Sequence, residues 1–248
     1  MLRATIDGKT LKDYLDSINA VSPECRLHIN ENEIYTSCVD SSGVSMVKST
    51  CKKEVFTEYL ATPTDIGISV NKLKTSIGAI SAKECIVEYT ESSGMLSISG
   101  DKNKYSMRVL AAETLRADPP KDPKDFFELL PTHLQVDGSA LATAIRTVTS
   151  VGDKTAFIYK GGTHDLTLYF EEDLENMQSV VDPSKVAVVK GADAHTILPT
   201  EYIKSIAPLM TRSDMVNIHM GTDMPMAFHM LINDAIDATY IIAPRIVS

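Results

Sequence analysis

The sequence predicts an α+β protein of two similar domains, each built of antiparallel sheets with two helices. Three observations point there. First, the 248-residue chain repeats itself: at an offset of 130, Asp7-Gly8 falls on Asp137-Gly138, and Leu11, Leu15, Ile18 and Val21 fall on Leu141, Ile145, Val148 and Val151. Second, several stretches alternate apolar and polar residues with the period of a half-buried strand. Third, Asp118 to Pro131 holds four prolines in fourteen residues, a composition that separates the two repeats. The expected organisation is a domain over 1–117, a connector over 118–131 and a second domain over 132–248.

The elements follow in order. A short strand, Ala4 to Ile6, precedes an Asp-Gly pair and a helix over Lys9 to Ala20. The apolar spacings of 4, 3 and 3 put Leu11, Leu15, Ile18 and Val21 on one helix face. Arg26 to Ile29 and Ile34 to Val39 read as strands around the turn Asn30-Glu31-Asn32-Glu33. A second helix spans Lys72 to Ser81, with Asn71 as its N-cap. Cys85, Val87 and Tyr89, then Leu96 and Ile98, then Tyr105, Met107 and Val109 form a three-stranded meander. The second half copies this. Leu134 to Val136 precedes a helix over Ser139 to Ser150, and Thr200 caps a helix over Glu201 to Met210, whose end Pro208 would distort. Strands follow at Val216 to Met220, Met226 to Met230 and Tyr240 to Ile242. The connector is expected to be extended, without regular helix. Its Phe126, Phe127, Leu129 and Leu130 either pin it to the sheet or form one wall of an apolar groove.

Composition narrows the class. Hydrophobic residues make up 44% and charged residues 23%, the balance of an ordinary globular protein. No apolar run approaches the roughly 20 residues of a membrane span, and the N-terminus MLRATIDGKT has no signal-peptide core. Cys25, Cys38, Cys51 and Cys85 contain no CxxC pair and read as buried or half-buried thiols of a reducing cytosol. Trp is absent and aromatic residues are 6%, which argues against a base-stacking platform. The formal charge of -9, with pI near 5.1, by itself argues against a nucleic-acid binder.

Catalytic patterns are missing. The chain has no GxGxxG, GxxxxGK[ST], HExxH or GxSxG. Glu171-Glu172-Asp173 with Glu175 reads as a solvated acidic stretch, and the methionines between Met210 and Met230 read as core filler or an adaptable surface. No catalytic residue, metal ligand or cofactor is expected.

Three segments carry a resemblance. They are Ser37 to Val47 with its Asp40-Ser41-Ser42, the C-terminal Tyr240-Ile241-Ile242-Ala243-Pro244-Arg245-Ile246, and the Pro-rich acidic and apolar connector. Together with the repeat, they make the whole chain resemble the DNA sliding clamp of the proliferating cell nuclear antigen family, in particular its archaeal members. The resemblance implies a closed ring of three identical subunits around duplex DNA, acting as a polymerase processivity factor and a docking platform for replication and repair proteins. It implies a cytoplasmic, nucleoid-associated protein of a cell without a nucleus. The implied partners are double-stranded DNA of any sequence, further copies of the chain, and DNA polymerase, clamp loader, flap endonuclease and ligase bound through short client peptides. By the same resemblance the strand carrying Tyr105, Met107 and Val109 pairs with that carrying Leu166, Leu168 and Phe170 of the next subunit.

The resemblance also places the four helices inside the ring, and this reverses the inference from net charge. The inner segments carry Lys9, Lys12, Lys72, Lys74, Lys83, Arg146, Lys204 and Arg212 against Asp13, Asp16 and Glu201. Salt confines such attraction to about 8–10 Å, so the local excess of cations matters more than the sum. The partner pocket carries over onto Val39, Ser41, Gly43, Val44, Phe126, Leu130, Pro225, Ile241, Ala243 and Pro244. Gly43 stands where eukaryotic members carry His, and Ile241 where many carry Tyr. Two other readings stand beside this one: an α+β hydrolase using His195 with Asp193, and a clamp subunit that works only in a heterotrimer.

Overall fold

A computed structural model describes residues 1–172 and 175–245 of the chain. They divide into two compact units. The first holds Met1–Ser41, Val47–Pro120 and Ala235–Asp237, and the second holds Ser42–Met46, Lys121–Asp234 and the residues from Ala238 onward.

In the first unit, β1 (Leu2–Asp7) leads into α1 (Gly8–Asn19), followed by β2 (Glu24–Ile29), β3 (Glu33–Val39), β4 (Ser45–Lys52), β5 (Glu58–Ala61) and β6 (Thr64–Ser69). Then come α2 (Val70–Ile80), β7 (Glu84–Thr90), β8 (Met95–Gly100) and β9 (Asn103–Arg108). One sheet has the order β5-β1-β7-β8-β9, and β4-β3-β2-β6 run side by side in another. Leu2 and Ile6 of β1, Leu11 and Leu15 of α1, Leu27 of β2 and Ile66 of β6 are buried around one apolar core.

The second unit repeats the scheme with β10 (Thr132–Asp137), α3 (Gly138–Val148), β11 (Lys154–Lys160), β12 (Asp165–Glu172), β13 (Glu175–Val180), β14 (Val186–Gly191) and β15 (Ala194–Pro199). It closes with α4 (Thr200–Met210), β16 (Met215–Met220), β17 (Met226–Ile232) and β18 (Ile236–Ile242). The orders are β14-β10-β16-β17-β18 and β13-β12-β11-β15. Phe157, Phe170 and Phe228 are fully buried in its core, with Phe157 meeting Phe228 edge-on at 6.0 Å.

The repeated Asp-Gly pair has a physical cause at each residue. Asp7 and Asp137 are the N-caps of α1 and α3, accepting hydrogen bonds from Thr10 N and Ala140 N, both at 2.9 Å. Gly8 and Gly138 press against the chain that leaves the second helix of their own unit. Gly8 N donates to Lys83 O at 2.8 Å, and Gly138 N to Asp214 O at 3.1 Å. A Cβ on Gly138 would lie 2.1 Å from Met210 O and 2.2 Å from Ser213 O. The pair therefore joins the two helices of each unit: α1 packs with α2, and α3 with α4.

Two local expectations are corrected. Asn71 and Thr200 are not caps: α2 and α4 begin earlier, after Ser69 and Pro199, neither of which makes a side-chain cap bond. The Thr200 hydroxyl instead meets that of Thr155 at 3.0 Å in the core. α4 runs to Met210, the expected end, with Pro208 inside its last turn. The connector is not wholly extended. Pro123–Leu129 form a 3₁₀ helix, started by the Asp122 carboxylate accepting from Lys124 N and by Pro123 at its first turn.

Candidate functional site

The connector helix belongs to the second unit and brings its apolar side chains onto the strands beneath it. Leu130, Ala227 and Ile241 form a buried cluster, against which Met46, Phe126, Phe127 and Met224 pack half-buried. Leu129 points outward, 65% exposed. Val44 joins the same wall through its carbonyl, which accepts from Ala243 N at 2.8 Å, and this bond holds the segment after β18 in place. Gly43 sits beside it in an exposed turn at φ 74, a left-handed backbone that a histidine would strain. Pro225 precedes β17 and Pro244 follows Ala243, all three half-buried or at the surface. Arg245 anchors the C-terminal segment by donating from N to Ile197 O at 2.7 Å and from Nη1 to Asp153 Oδ2 at 2.7 Å. That pairing holds the Asp153 carboxyl below the usual carboxylate range.

Of the ten groove residues expected, Phe126, Leu130 and Ile241 share one apolar cluster, and Gly43, Val44, Pro225, Ala243 and Pro244 lie in the same unit. Val39 and Ser41 fall in the first unit. Met46, Met224 and Ala227 were missed as groove residues, whereas Phe127 was one of the connector side chains offered as a groove wall. Alternation would have found two of them, since Met46 lies two residues beyond Val44 and Ala227 two beyond Pro225.

Beneath the connector, Phe127 stacks on His219 at 4.0 Å and 11°, and His219 stacks on His133 at 4.1 Å and 17°. His229 is tilted against Phe127 at 6.1 Å. His133 Nε2 lies 3.1 Å from Asn217 Oδ1, which also accepts from Gln135 Nε2 at 3.2 Å. Burial, and then the neighbouring His133 and His229, lower the His219 pKa from 6.5 to about 4. Among the described residues no cluster of three His, Cys, Asp or Glu side chains is arranged for a metal.

The helix faces carry the expected cations in unequal states. Lys9, Lys12, Lys72, Lys83, Arg146 and Lys204 are exposed and Arg212 is half-buried. Lys74 is drawn to Asp16, with Nζ 2.8 Å from Oδ1, and is largely neutralised there. Asp13 is buried, so its charge does not face solvent. Around the cations the exposed helix positions are small or short: Thr75, Gly78 and Ala79 on α2, and Ser139, Thr143, Thr147 and Ser150 at α3.

The two edges expected to join subunits fare differently. β9, which carries Tyr105 and Met107, ends its sheet, and among the described residues it pairs only with β8 there, leaving its outer side an open edge. Val109 lies just beyond the strand, its N donating to Gly94 O at 3.0 Å. Leu166, Leu168 and Phe170 do not form an edge. β12 is flanked by β11 on one side and β13 on the other, and these three side chains are core, 0%, 0% and 1% exposed. The end strands of that sheet are β13 and β15, and β13, the neighbour of β12, presents Glu175, Asn176, Gln178 and Val180 to solvent. The apolar alternation that marked β12 is the signature of a buried face, whereas the polar sequence ENMQSV of β13 carries no periodic signal.

In the alternative dyad, the Asp193 carboxylate accepts from Gly161 N at 2.8 Å. All four cysteines are free thiols, three of them buried. No helix among the described residues is long and apolar enough to cross a membrane.

No protein-family model matches the chain. Curated proteins do. The chain is 30% identical over 250 residues to the DNA polymerase sliding clamp of Methanospirillum hungatei and 29% identical over 248 residues to that of Methanocorpusculum labreanum, covering 99% of each. Among solved structures it superposes with a TM-score of 0.88, at 21% identity and over 100% of both chains, on A. fulgidus PCNA bound to the C-terminal region of FEN-1. With a repeated α+β fold, an apolar cluster beneath a connector, and this likeness over nearly the full length, the chain belongs to the DNA polymerase sliding clamp family.

Proposed function

We propose that this chain is the subunit of a homotrimeric ring that encircles duplex DNA, keeps a polymerase on its template and docks other replication and repair proteins. The observation that carries the reading is the groove: an apolar cluster of Leu130, Ala227 and Ile241, walled by half-buried Phe126, Phe127, Met46 and Met224 and by the Val44–Ala243 bond. A short client peptide with apolar or aromatic anchors is the ligand that fits it. The neighbour bound to the C-terminal region of FEN-1 supports a flap endonuclease among the clients. Polymerase, ligase and clamp loader are the others. The role is mechanical, not enzymatic, and its place is the cytoplasm, at the nucleoid.

The ring closes edge to edge. β9 carries Lys104 and Arg108, with Lys102 in the turn before it, whereas β13 begins with Glu175 and follows Glu171 and Glu172. Two open edges of opposite charge on one chain suit head-to-tail pairing, which forms a ring when the rotation closes and removes the exposed edges. The DNA contact is made by exposed Lys9, Lys12, Lys72, Lys83, Arg146 and Lys204, with Arg212 at the margin. Sparse cations among short Ser, Thr, Gly and Ala side chains attract phosphate without reading bases and leave the duplex free to slide.

Titrating a labelled FEN-1 C-terminal peptide against the wild type and Phe126→Ala tests the groove. Losing a half-buried aromatic anchor is expected to weaken binding by about 1–2 kcal/mol, on the order of tenfold. Equal affinity in both proteins contradicts the groove.

A further inference from the structure

The ring stack beneath the connector joins a phenyl ring of the groove cluster to two imidazoles. We infer that Phe127, His219 and His133 form a pH-sensitive latch, which holds the connector helix as a wall of the peptide groove while the imidazoles are neutral and releases it when the stack is protonated. This rests on the groove being the client site and concerns its regulation.

Phe127 is the shared part. One side of its ring belongs to the apolar groove cluster, and it stacks on His219 at 4.0 Å. A change at His219 is therefore transmitted to the groove by a single side chain. His219 is 6% exposed, so a charge there has little access to water. The titratable groups bearing on it are His133 of β10, stacked at 4.1 Å, and His229 of β17. The connector helix contributes the uncharged Phe127, and Asn217 of the same strand holds His133 Nε2 at 3.1 Å. No carboxylate is among the charges acting on His219. A cation over a phenyl face is attracted to it, but here burial and two further imidazoles oppose the charge.

The sign follows. The fold lowers the His219 pKa from 6.5 to about 4, so the neutral form is favoured in the docked state. Above pH 6.5 the docked state carries no protonation penalty at His219. As pH falls from 6.5 toward 4, any conformation that hydrates His219 takes up a proton more readily, and the docked connector loses ground. His28, at the other end of the connector, has the opposite environment, with Nδ1 2.8 Å from Asp65 Oδ1 and Nε2 2.6 Å from Asp118 Oδ2. The second contact has ion-pair distance without hydrogen-bond alignment.

The test is fluorescence anisotropy with a labelled apolar peptide free of His, Asp and Glu, from about pH 8 to about pH 5.5, the range in which imidazoles titrate, with circular dichroism showing that each protein stays folded over it. Wild-type affinity is expected to fall by about tenfold toward acid, as one pKa unit of coupling demands. His219→Phe keeps the stack without a titrating ring and is expected to give a flat profile. His219→Gln gives the same flat profile if the Phe variant does not fold. A wild-type affinity that does not change with pH, or a variant that falls as steeply as the wild type, overturns the latch. Absence of binding by the wild type at every pH defeats the groove reading itself.

Discussion

The clearest residue-scale signal is the Asp-Gly pair that opens α1 and α3, and each of its residues has a separate task. The Asp oxygen satisfies an amide that the helix leaves unpaired, while Gly lets the helix start touch the backbone that leaves its partner helix. A methyl group on Gly138 would meet two carbonyl oxygens at 2.1 and 2.2 Å, and backbone cannot step aside as a side chain does. Gly138→Ala is therefore expected to destabilise the chain by about 2 kcal/mol or more, read as a drop in thermal midpoint. A midpoint unchanged within error would mean that α3 and α4 separate freely. Other residue-scale features were not legible. Lys74 carries the right charge on the right helix, yet Asp16, fifty-eight positions away in sequence, takes it up at 2.8 Å. The ring stack joins residues from the connector, β10 and β16, and spacing along one chain does not reveal that three rings lie parallel.

At the scale of elements, periodicity located the helices to within a residue or two and the meanders of both halves, because one face of each is buried. It was silent where the inner face of a strand is only half-buried and mixed in polarity, as at Met177 and Ser179. β13 is such a strand, and without it β12 looks like an edge. The consequence is a sharp contrast between two variants. The double change Glu175→Lys with Val180→Lys, at exposed positions, is expected to leave stability within about 0.5 kcal/mol. It sets a basic edge against the basic β9, and native mass should then show single chains of 27.1 kDa in place of a species three times as heavy. Leu168→Ala should do the reverse, costing about 2–4 kcal/mol of folding by opening a core cavity while the remaining folded chains still assemble. Assembly that survives the lysine pair places the contact elsewhere. The connector had a similar blind spot. Four prolines argue for extension, but Pro123 at a helix start is preorganised for it, and Asp122 supplies the cap.

For the whole molecule, the net charge of -9 is a poor guide to partners, because charges are sorted by surface. Buried Asp13 and the Lys74–Asp16 pair remove two acids and one base from the helix faces, and Lys9, Lys12, Lys72, Lys83, Arg146 and Lys204 remain exposed. In the proposed ring DNA is held by topology, so these cations would need only to guide phosphates, and tight contacts would impede sliding. The claim is tested most directly by loading the labelled protein onto nicked circular duplex DNA with its clamp loader, then cutting the circle once. A ring is retained on the circle and lost from the open ends after cutting. Retention that is the same before and after cutting would mean that the protein grips DNA instead of encircling it, and would contradict the account.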